Sequence, residues 1–256
     1  MLIGQKEVTT IPVSIEEAIS AIIVIFFSCV IQGRFGMGGA LLAAPLLLLI
    51  NPIFVPVPIL VSNIILTALV SRADWQSINF HDLGYLFIGR LTGTFPGVAV
   101  LAMVSGLAFD FLFGVLILIA VGLSLVGRKL AVNRISLALA GFASGFMGTI
   151  SSIGGPPVAL LYQHQDSTQF RATLSMQLLL GGTVSVIAIA LGTDFGTDDI
   201  LVSLMLVPGA ILGFYASRLG IGNVTQSSIR IVTLTMSVLG SVVVLVRATL
   251  SLLSGS

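Results

Sequence analysis

The motif Gly36-Met37-Gly38-Gly39 interrupts a long apolar segment in the first half of the chain, and Ile153-Gly154-Gly155-Pro156-Pro157 interrupts one at the matching place in the second half. Glycine and proline disrupt the hydrogen-bond ladder of a helix. Such a break is tolerated at membrane depth only where the backbone is buried in protein or lines a cavity. Two breaks at corresponding positions of two halves are typical of the binding site of a secondary transporter. The motifs therefore predict a small transporter whose site lies between the breaks.

Composition places the chain in a membrane. Of its 256 residues, 56% are hydrophobic and 8% are charged, whereas a soluble domain has roughly 25% charged residues. The single cysteine, Cys29, excludes an internal disulfide and any multi-cysteine metal site. We predict an all-α integral membrane protein whose partners are the lipid bilayer and a small anion. We expect no nucleic acid, metal or cofactor, and a homodimer is left open.

The lengths of the apolar segments predict two hairpins that do not cross the membrane. A span needs about 20 residues, and Ala40–Ile50 and Val158–Tyr162 are clearly shorter. The segments that precede the two motifs, Ile15–Ile31 and Ile135–Ile150, are also somewhat short. Each short pair is therefore predicted to form a re-entrant helix-loop-helix hairpin, and each hairpin is followed by three full spans.

The two halves repeat each other. At an offset of 116 residues, five positions recur: Phe26, Ser28, Gly38, Gly39 and Ala43 correspond to Phe142, Ser144, Gly154, Gly155 and Ala159. Pro96-Gly97 likewise has a counterpart in Pro208-Gly209. Because three spans are an odd number, the second half must be inverted relative to the first. We predict a first half over residues 1–127, a cytoplasmic linker over 128–134 and a second half over 135–256.

The distribution of basic residues predicts the orientation. If the linker is cytoplasmic, seven basic residues lie inside: Arg72, Arg128, Lys129, Arg134, Arg171, Arg218 and Arg230. Only Lys6 and Arg247 then lie outside, as the positive-inside rule requires. Both termini are therefore predicted to lie outside the plasma or inner membrane.

Arg34, beside the first motif, is the predicted charge partner of a substrate. An arginine in mid-membrane costs at least about 2.5–3.5 kcal/mol, and no carboxylate is near it in the sequence. An anion would neutralise it, and a planar guanidinium suits a multi-oxygen anion. The alternative is that Arg34 packs against carbonyl groups freed by the helix break, or extends to a membrane surface.

The backbone and neutral side chains around the breaks complete the predicted site. Half-helices starting at Ala40 and Pro157 would direct free N–H groups and positive dipole ends at the gap. Gln32, Ser151 and Ser152 add neutral donors. The predicted substrate-binding residues are Gln32, Arg34, Gly36, Gly38, Gly39, Ser151, Ser152, Gly154, Gly155 and Pro156.

The remaining charged and titratable residues lie mostly at predicted membrane boundaries. Arg90 is expected less than two turns from the cytoplasmic end of its helix, near Asp82. His81 and His164 fall at predicted membrane boundaries, and their roles stay open. No carboxylate lies convincingly in the predicted hydrocarbon core, where cation-driven carriers usually have one. An interior-negative potential favours expulsion of an anion by about 2.3 kcal/mol per charge and 100 mV. This pattern indicates potential-driven anion export.

The two hairpins also carry a family resemblance. The stretch from Gln32 to Pro45, and the second copy from Gly154 through Arg171-Ala172-Thr173, resemble the TauE/SafE family of sulfite and organosulfonate transporters. The resemblance extends from about Ile22 to Val246. It implies a transporter, not an enzyme, that moves a sulfur oxyanion or sulfonate, usually outward. It also implies that the glycine-loop positions of the family are Gly36, Gly38, Gly39, Gly154 and Gly155.

The sequence also allows three functions other than anion export. The chain could be an uptake permease for a sulfonate or another small organic anion. It could be a non-transporting membrane scaffold, although a scaffold does not explain glycine breaks in both halves. An intramembrane hydrolase could use Ser151 or Ser152 with His164, but His164 lies at a predicted boundary.

Overall fold

The chain is helical throughout the part that the computed structural model describes, which comprises residues 13–126, 130–162, 167–193, 195–219 and 226–253. Short 3-10 turns occupy Pro52–Phe54 and Trp75–Ser77. The α-helices of this part are α1 (Ile15–Phe35), α2 (Gly39–Ile50), α3 (Val57–Ala73), α4 (Phe80–Met103), α5 (Gly106–Leu125), α6 (Arg134–Ser151), α7 (Gly155–Tyr162), α8 (Ser167–Gly192), α9 (Thr197–Arg218) and α10 (Gln226–Leu253).

Seven segments among the described residues are long and apolar enough to cross a membrane. Six of them contain α1, α3, α4, α5, α8 and α9, and the seventh, Ser228–Leu252, lies within α10. The prediction of an all-α integral membrane protein is therefore confirmed. The prediction that the first segment, Ile15–Ile31, is somewhat short for a span is wrong, because the helix continues to Phe35 and gives α1 a length of 21 residues.

Residues in left-handed backbone conformation make both helix breaks. Gly36 ends α1 with φ +80°, and its N–H donates to the carbonyl of Gln32. Gly38 precedes α2 with φ +99°. The second break begins at Ser152, which has φ +62° at the end of α6. The half-helices α2 and α7 then start at Gly39 and Gly155, slightly before the predicted Ala40 and Pro157.

The first broken pair, α1 and α2, returns to the end at which it starts. Ser14 caps α1 through a reciprocal capping box with Glu17. The other oxygen of Glu17 accepts a hydrogen bond of 3.1 Å from the Asn51 side chain, which follows α2. The start of α1 and the end of α2 therefore lie together, close to the residues that lead into α3 at Val57.

The second pair, α6 and α7, also has both ends together, beside the start of α4. The guanidinium of Arg134 at the start of α6 lies 5.6 Å from the ring centre of Tyr85. At the end of α7, the Tyr162 hydroxyl donates to Asp82 at 2.7 Å. Since Asp82 and Tyr85 belong to the first turns of α4, the two ends of this pair meet at the opposite end of α3 from the first pair.

Glycines allow close packing between α4 and α6 and between α1 and α9. A Cβ on Gly93 of α4 would stand 2.1 Å from the carbonyl oxygen of Phe142 in α6. A Cβ on Gly213 of α9 would stand 2.6 Å from the carbonyl oxygen of Phe26 in α1. Small residues of this kind let membrane helices approach with their backbones in contact. The first helix of each broken pair thus packs closely against a proline-containing helix of the other half of the sequence: α1 against α9, and α6 against α4.

Candidate functional site

A cavity lies where the two helix breaks meet. Its lining comprises Gln32, Met37, Gly38, Ala40, Leu41, Leu60, Asn63, Arg90, Ser152, Ile153, Gly154, Gly155, Pro156, Leu178 and Gly182. Its free volume is about 20 Å³, which is room for about one water molecule. The cavity therefore joins residues from both halves around a space that is smaller than a three-oxygen anion.

Arg90 supplies the positive charge in this cavity. It is 1% exposed and stands ten residues after Phe80, the start of α4. Ten helical residues extend about 15 Å, which is half of a hydrocarbon core about 30 Å thick. The expectation that Arg90 lies less than two turns from the end of its helix is wrong, because α4 begins at Phe80, before its apolar stretch, and places Arg90 near the middle of the helix.

Neutral acceptors hold the Arg90 guanidinium. Its Nη1 donates to the Ser144 hydroxyl at 2.7 Å and to the Ser144 carbonyl at 3.2 Å. The same hydroxyl donates to the Gly154 carbonyl at 2.5 Å and accepts from the Gln177 amide at 3.1 Å. Nε and Nη2 of Arg90 make no hydrogen bond to any residue that the structure describes. The serine thus fixes one edge of the guanidinium and leaves other donors unused.

Three glycines leave the space that the guanidinium occupies. A Cβ on Gly148 would stand 3.1 Å from Nη2, one on Gly154 would stand 2.5 Å from Nη1, and one on Gly181 would stand 1.6 Å from Nε. Contacts below 3.0 Å are not found for real Cβ atoms. The Arg90 side chain can therefore lie in this position only because Gly154 and Gly181 lack a side chain, whereas a Cβ on Gly148 would make a tight contact.

No carboxylate of the described residues forms an ion pair with Arg90; the ion pairs in this part of the chain belong to Asp74. A buried charge without an opposite charge is costly. The hydroxyl and carbonyl of Ser144 offset part of that cost, but they leave a net positive charge. The cavity is therefore electrostatically suited to an anion.

Neutral donors face the same space. Gln32 is 4% exposed, lines the cavity and has an amide nitrogen without a hydrogen-bond partner in the described part. Asn63 contributes a second amide to the lining. No side chain caps the start of α2 after Gly38, so first-turn N–H groups of α2 are also left at the cavity edge. These groups could bind anionic oxygens without adding charge.

Six of the ten predicted site residues line this cavity: Gln32, Gly38, Ser152, Gly154, Gly155 and Pro156. Gly36 instead packs against the backbone of Arg171, where a Cβ would stand 3.0 Å from the arginine Cα. Gly39 packs against Ser28 and Gln32. Ser151 is fully buried and donates to the Met147 carbonyl at 2.8 Å. The Ser152 hydroxyl donates to the Pro56 carbonyl at 2.8 Å.

Arg34 lies apart from this group. It is 19 residues after the start of α1, a distance of about 28 Å along the helix, so it is near the far end of a span-length helix and not in its middle. It lines a basin of about 400 Å³ with Gly33, Phe35, Ser167, Phe170, Arg171, Ser217 and Arg218. His164, the candidate base of the hydrolase alternative, lies outside the described residues.

Asp74 pairs with two of the basin arginines. It accepts from Nε of Arg171 at 2.8 Å and from the Arg218 guanidinium at 3.3 Å. Burial raises the pKa of Asp74, but the hydrogen bonds and charges of both arginines outweigh burial and hold the pKa below its ordinary value. Asp74 is therefore an ionised carboxylate at neutral pH.

Comparison with known families agrees with the site. The sequence model of the sulfite exporter TauE/SafE family matches residues 21–244. The chain belongs to this family. Membership implies a membrane transporter of sulfite or related anions, which suits the anion-compatible cavity, and members of the family are transporters and not enzymes. Comparison with curated proteins and with solved structures gives no match.

Arg90 and Asn63 line the cavity but were not among the predicted site residues. A signal for Arg90 was present, because Gly89, Gly93 and Gly97 form a stripe of small residues at four-residue spacing. Such a stripe predicts close contact with another helix, and an arginine next to it is held inside the protein. Asn63 stands alone in an apolar segment, which is a weaker signal because interhelical hydrogen bonding explains it equally well.

Proposed function

We propose that this TauE/SafE member exports sulfite or a related organosulfonate, and that Arg90 binds the anion in the cavity between the two helix breaks. The observation that carries the proposal is a fully buried arginine, without a carboxylate partner among the described residues, in a cavity lined by both breaks. The predicted residues that line the cavity, Gln32, Gly38, Ser152, Gly154, Gly155 and Pro156, form the rest of the cradle.

The chemistry of the cradle suits a sulfur oxyanion. Sulfite and sulfonates spread negative charge over three oxygens, so one guanidinium edge and several neutral donors can share it. Nη2 of Arg90 and the Gln32 amide have unused donors for this purpose. Loss of one partner of a buried, hydrogen-bonded charge pair costs about 2–5 kcal/mol, so binding depends strongly on Arg90.

The size of the cavity points to an occluded state. About 20 Å³ holds one water molecule but not a sulfonate. Substrate binding therefore requires the two breaks to move apart. We infer that the two halves, 1–127 and 135–256, rock against each other around the cavity and open it alternately to the two sides, as inverted-repeat transporters do.

Two features support this inverted repeat of re-entrant hairpins. The α1–α2 pair has its ends together through Glu17 and Asn51, whereas the α6–α7 pair has its ends at the start of α4, on the other side. Phe26 and Phe142 are equivalent in the repeat, and each packs its carbonyl against a glycine of the other half. This reciprocal packing is what two halves related by a pseudo-two-fold axis would produce, and the opposite placement of the two pairs supports an axis in the membrane plane.

The orientation follows from the arginines. Arg34, Arg171 and Arg218 gather at one end of the bundle, and we assign that end to the cytoplasm of a plasma or inner membrane because basic residues accumulate there. With this assignment both termini lie outside. An interior-negative potential then drives an anion outward by about 2.3 kcal/mol per charge and 100 mV.

The test is flux of labelled sulfite in proteoliposomes whose potential is clamped with potassium and valinomycin, at equal pH and sodium on both sides. We expect wild-type efflux to quicken as the interior becomes more negative. Arg90→Gln should lower flux more than about 30-fold because it removes the charge partner. Arg72→Gln is the matched control, since Arg72 is an exposed arginine that does not line the cavity.

Full flux in Arg90→Gln would refute the cradle. Flux indifferent to voltage would refute potential-driven export. Uptake that requires a proton or sodium gradient would instead support the alternative, a coupled permease.

A further inference from the structure

We propose that the basin around Arg34, Arg171 and Arg218 is a second anion-binding site, which captures the anion before it reaches the central cavity. The inference rests on the proposed transport function for its role, but the binding itself does not require Arg90. The ligand class is a small oxyanion or sulfonate. The site is distinct from the cavity, because the two linings share no residue.

The basin has an excess of positive charge. Three guanidinium groups line it, and Asp74 is the carboxylate among the described residues that pairs with two of them. Among the residues that the structure describes, this one aspartate neutralises one of the three charges, so two remain. Asp74 shares its oxygens between Arg171 and Arg218, whereas the Arg34 guanidinium has no hydrogen bond or ion pair to any described residue. The unmatched charge is thus centred on Arg34.

Two of the arginines are held in place before an anion arrives. Arg171 donates to Asp74 at 2.8 Å and to the Arg34 carbonyl at 3.3 Å. Arg218 lies with its guanidinium 5.3 Å from the ring centre of Phe214 and also contacts Asp74. A ligand that binds to fixed groups loses less affinity to their ordering. Asp74 therefore acts as a positioning residue for the two guanidinium groups.

The basin has room for many water molecules, whereas the central cavity has room for about one. The side chains of Arg171 and Arg218 are 19% and 34% exposed, and the basin volume of about 400 Å³ accommodates a hydrated anion. A cleft lined by charges of one sign raises the local concentration of the opposite ion. The basin is thus suited to weak, fast binding and the cavity to tight binding.

The first helix break connects the two places. Gly36 packs against the backbone of Arg171, a basin residue. Two residues later, Gly38 lines the central cavity. Residues 36–38 therefore separate the basin from the cavity, and an anion that passes from one to the other would move past this loop.

Equilibrium binding of labelled sulfite to purified protein in neutral detergent tests the inference. We expect two classes of site in the wild-type protein. Arg34→Gln should remove the weak class and leave the tight class, whereas Arg90→Gln should remove the tight class and leave the weak one. Arg72→Gln is the control for loss of one cationic charge at the same end of α3, and it should leave both classes.

Flux gives the second readout. Arg34→Gln should raise the half-saturating sulfite concentration on the basin side about threefold to tenfold, with little change from the other side. A single class of site, or an Arg34→Gln variant that behaves like Arg72→Gln in both assays, would overturn the basin. Loss of the Arg90 effect alone would overturn the central cradle and leave the basin supported.

A lipid phosphate offers the same chemistry as a free oxyanion. Flux in vesicles of phosphatidylcholine alone and in vesicles with added phosphatidylglycerol separates the two. An Arg34→Gln effect that is equal in both supports a site for the free anion. An effect that disappears when phosphatidylglycerol is present would overturn it in favour of a lipid headgroup.

Discussion

Arg90 of α4 packs directly against Gly181 of α8, so closely that no other residue fits at position 181: a Cβ there would stand 1.6 Å from Nε of Arg90. The arginine therefore crosses from one helix to the next through the space above this glycine. Its guanidinium then meets Ser144 on α6. Three helices thus determine the position of the charge, and a methyl group on one of them is enough to displace it.

Gly181→Ala should separate the fold from the site. The helix propensity of alanine is better than that of glycine, but the methyl group must push Arg90 out of its position. Because misplacement of a binding group by about 1 Å can cost up to about 100-fold, we expect sulfite affinity to fall at least about tenfold. Binding of labelled sulfite by protein that purifies as a monodisperse peak measures this.

Gly122→Ala is the matched control, because a Cβ on Gly122 of α5 would meet nothing within 4 Å. It should bind sulfite as the wild-type protein does. Equal affinity in Gly181→Ala and Gly122→Ala would mean that the position of Arg90 is unimportant for binding.

Gly154→Ala tests the second helix break in the same way. The added Cβ would stand 2.5 Å from Nη1 of Arg90 and 2.9 Å from the Ser144 hydroxyl. It would therefore disrupt the hydrogen bond between these two groups, which holds the guanidinium in place. We expect flux to fall by at least about tenfold. Gly84→Ala, on α4 with nothing within 4 Å of its Cβ, should transport normally. Normal flux in Gly154→Ala would argue that this glycine serves packing only.

The sequence predicted the breaks better than it predicted the charge. Glycines at 36 and 38 have positive φ, a conformation that their residue type favours, so the motifs marked the breaks correctly. The sequence places Arg34 in mid-membrane because it stands beside the first break, at the tip of the predicted hairpin. Gln32, Gly33 and Arg34 instead continue α1, because its backbone hydrogen bonds end only at Gly36. Arg34 therefore lies near the C-terminal end of the helix.

Two serines that are equivalent in the sequence repeat have different partners in the structure. Ser28 and Ser144 are equivalent at the offset of 116 residues, yet only Ser144 binds an arginine, and the Ser28 hydroxyl is buried without a partner in the described part. Which serine receives Arg90 depends on the crossing of α4 and α6. The glycine pattern indicates that α4 packs closely against another helix, but it does not specify which helix. The site was therefore predictable as a place between two breaks, but not in its charge.

The ion pairs of Asp74 should be insensitive to pH in the neutral range. Burial raises the pKa of Asp74, and Arg171 and Arg218 lower it by more, so the folded-state pKa is below the ordinary value, which is about 3.9. Stability from this carboxylate is fully present above the unfolded pKa and is lost as the pH falls through the lower folded pKa. We expect the melting-temperature difference between wild type and Asp74→Asn to be constant from about pH 5 to 8 and to shrink below about pH 4.

Fluorescence provides a local readout of the same group, because Trp75 is the single tryptophan of the chain and follows Asp74 directly. Its emission should show no Asp74-dependent transition between about pH 5 and 8. A transition near neutral pH that Asp74→Asn abolishes would contradict the assigned ion pairs.

Cysteine labelling decides whether α6 and α7 re-enter the membrane. The native Cys29 is buried and is the single cysteine of the chain, so an introduced cysteine is read without background. Ala131 precedes α6 and Thr197 follows α8, and both are exposed. If α6 and α7 return to the side from which they start, then α8 alone crosses between these positions. Ala131→Cys should then react with an impermeant maleimide only from the cytoplasmic side, and Thr197→Cys only from outside.

Labelling of both positions from one side would mean that α6 and α7 together form a further crossing, which would remove the inverted repeat and the alternating movement inferred from it. Labelling from opposite sides, but in the reverse sense, would keep the repeat and place the arginine basin on the outer face.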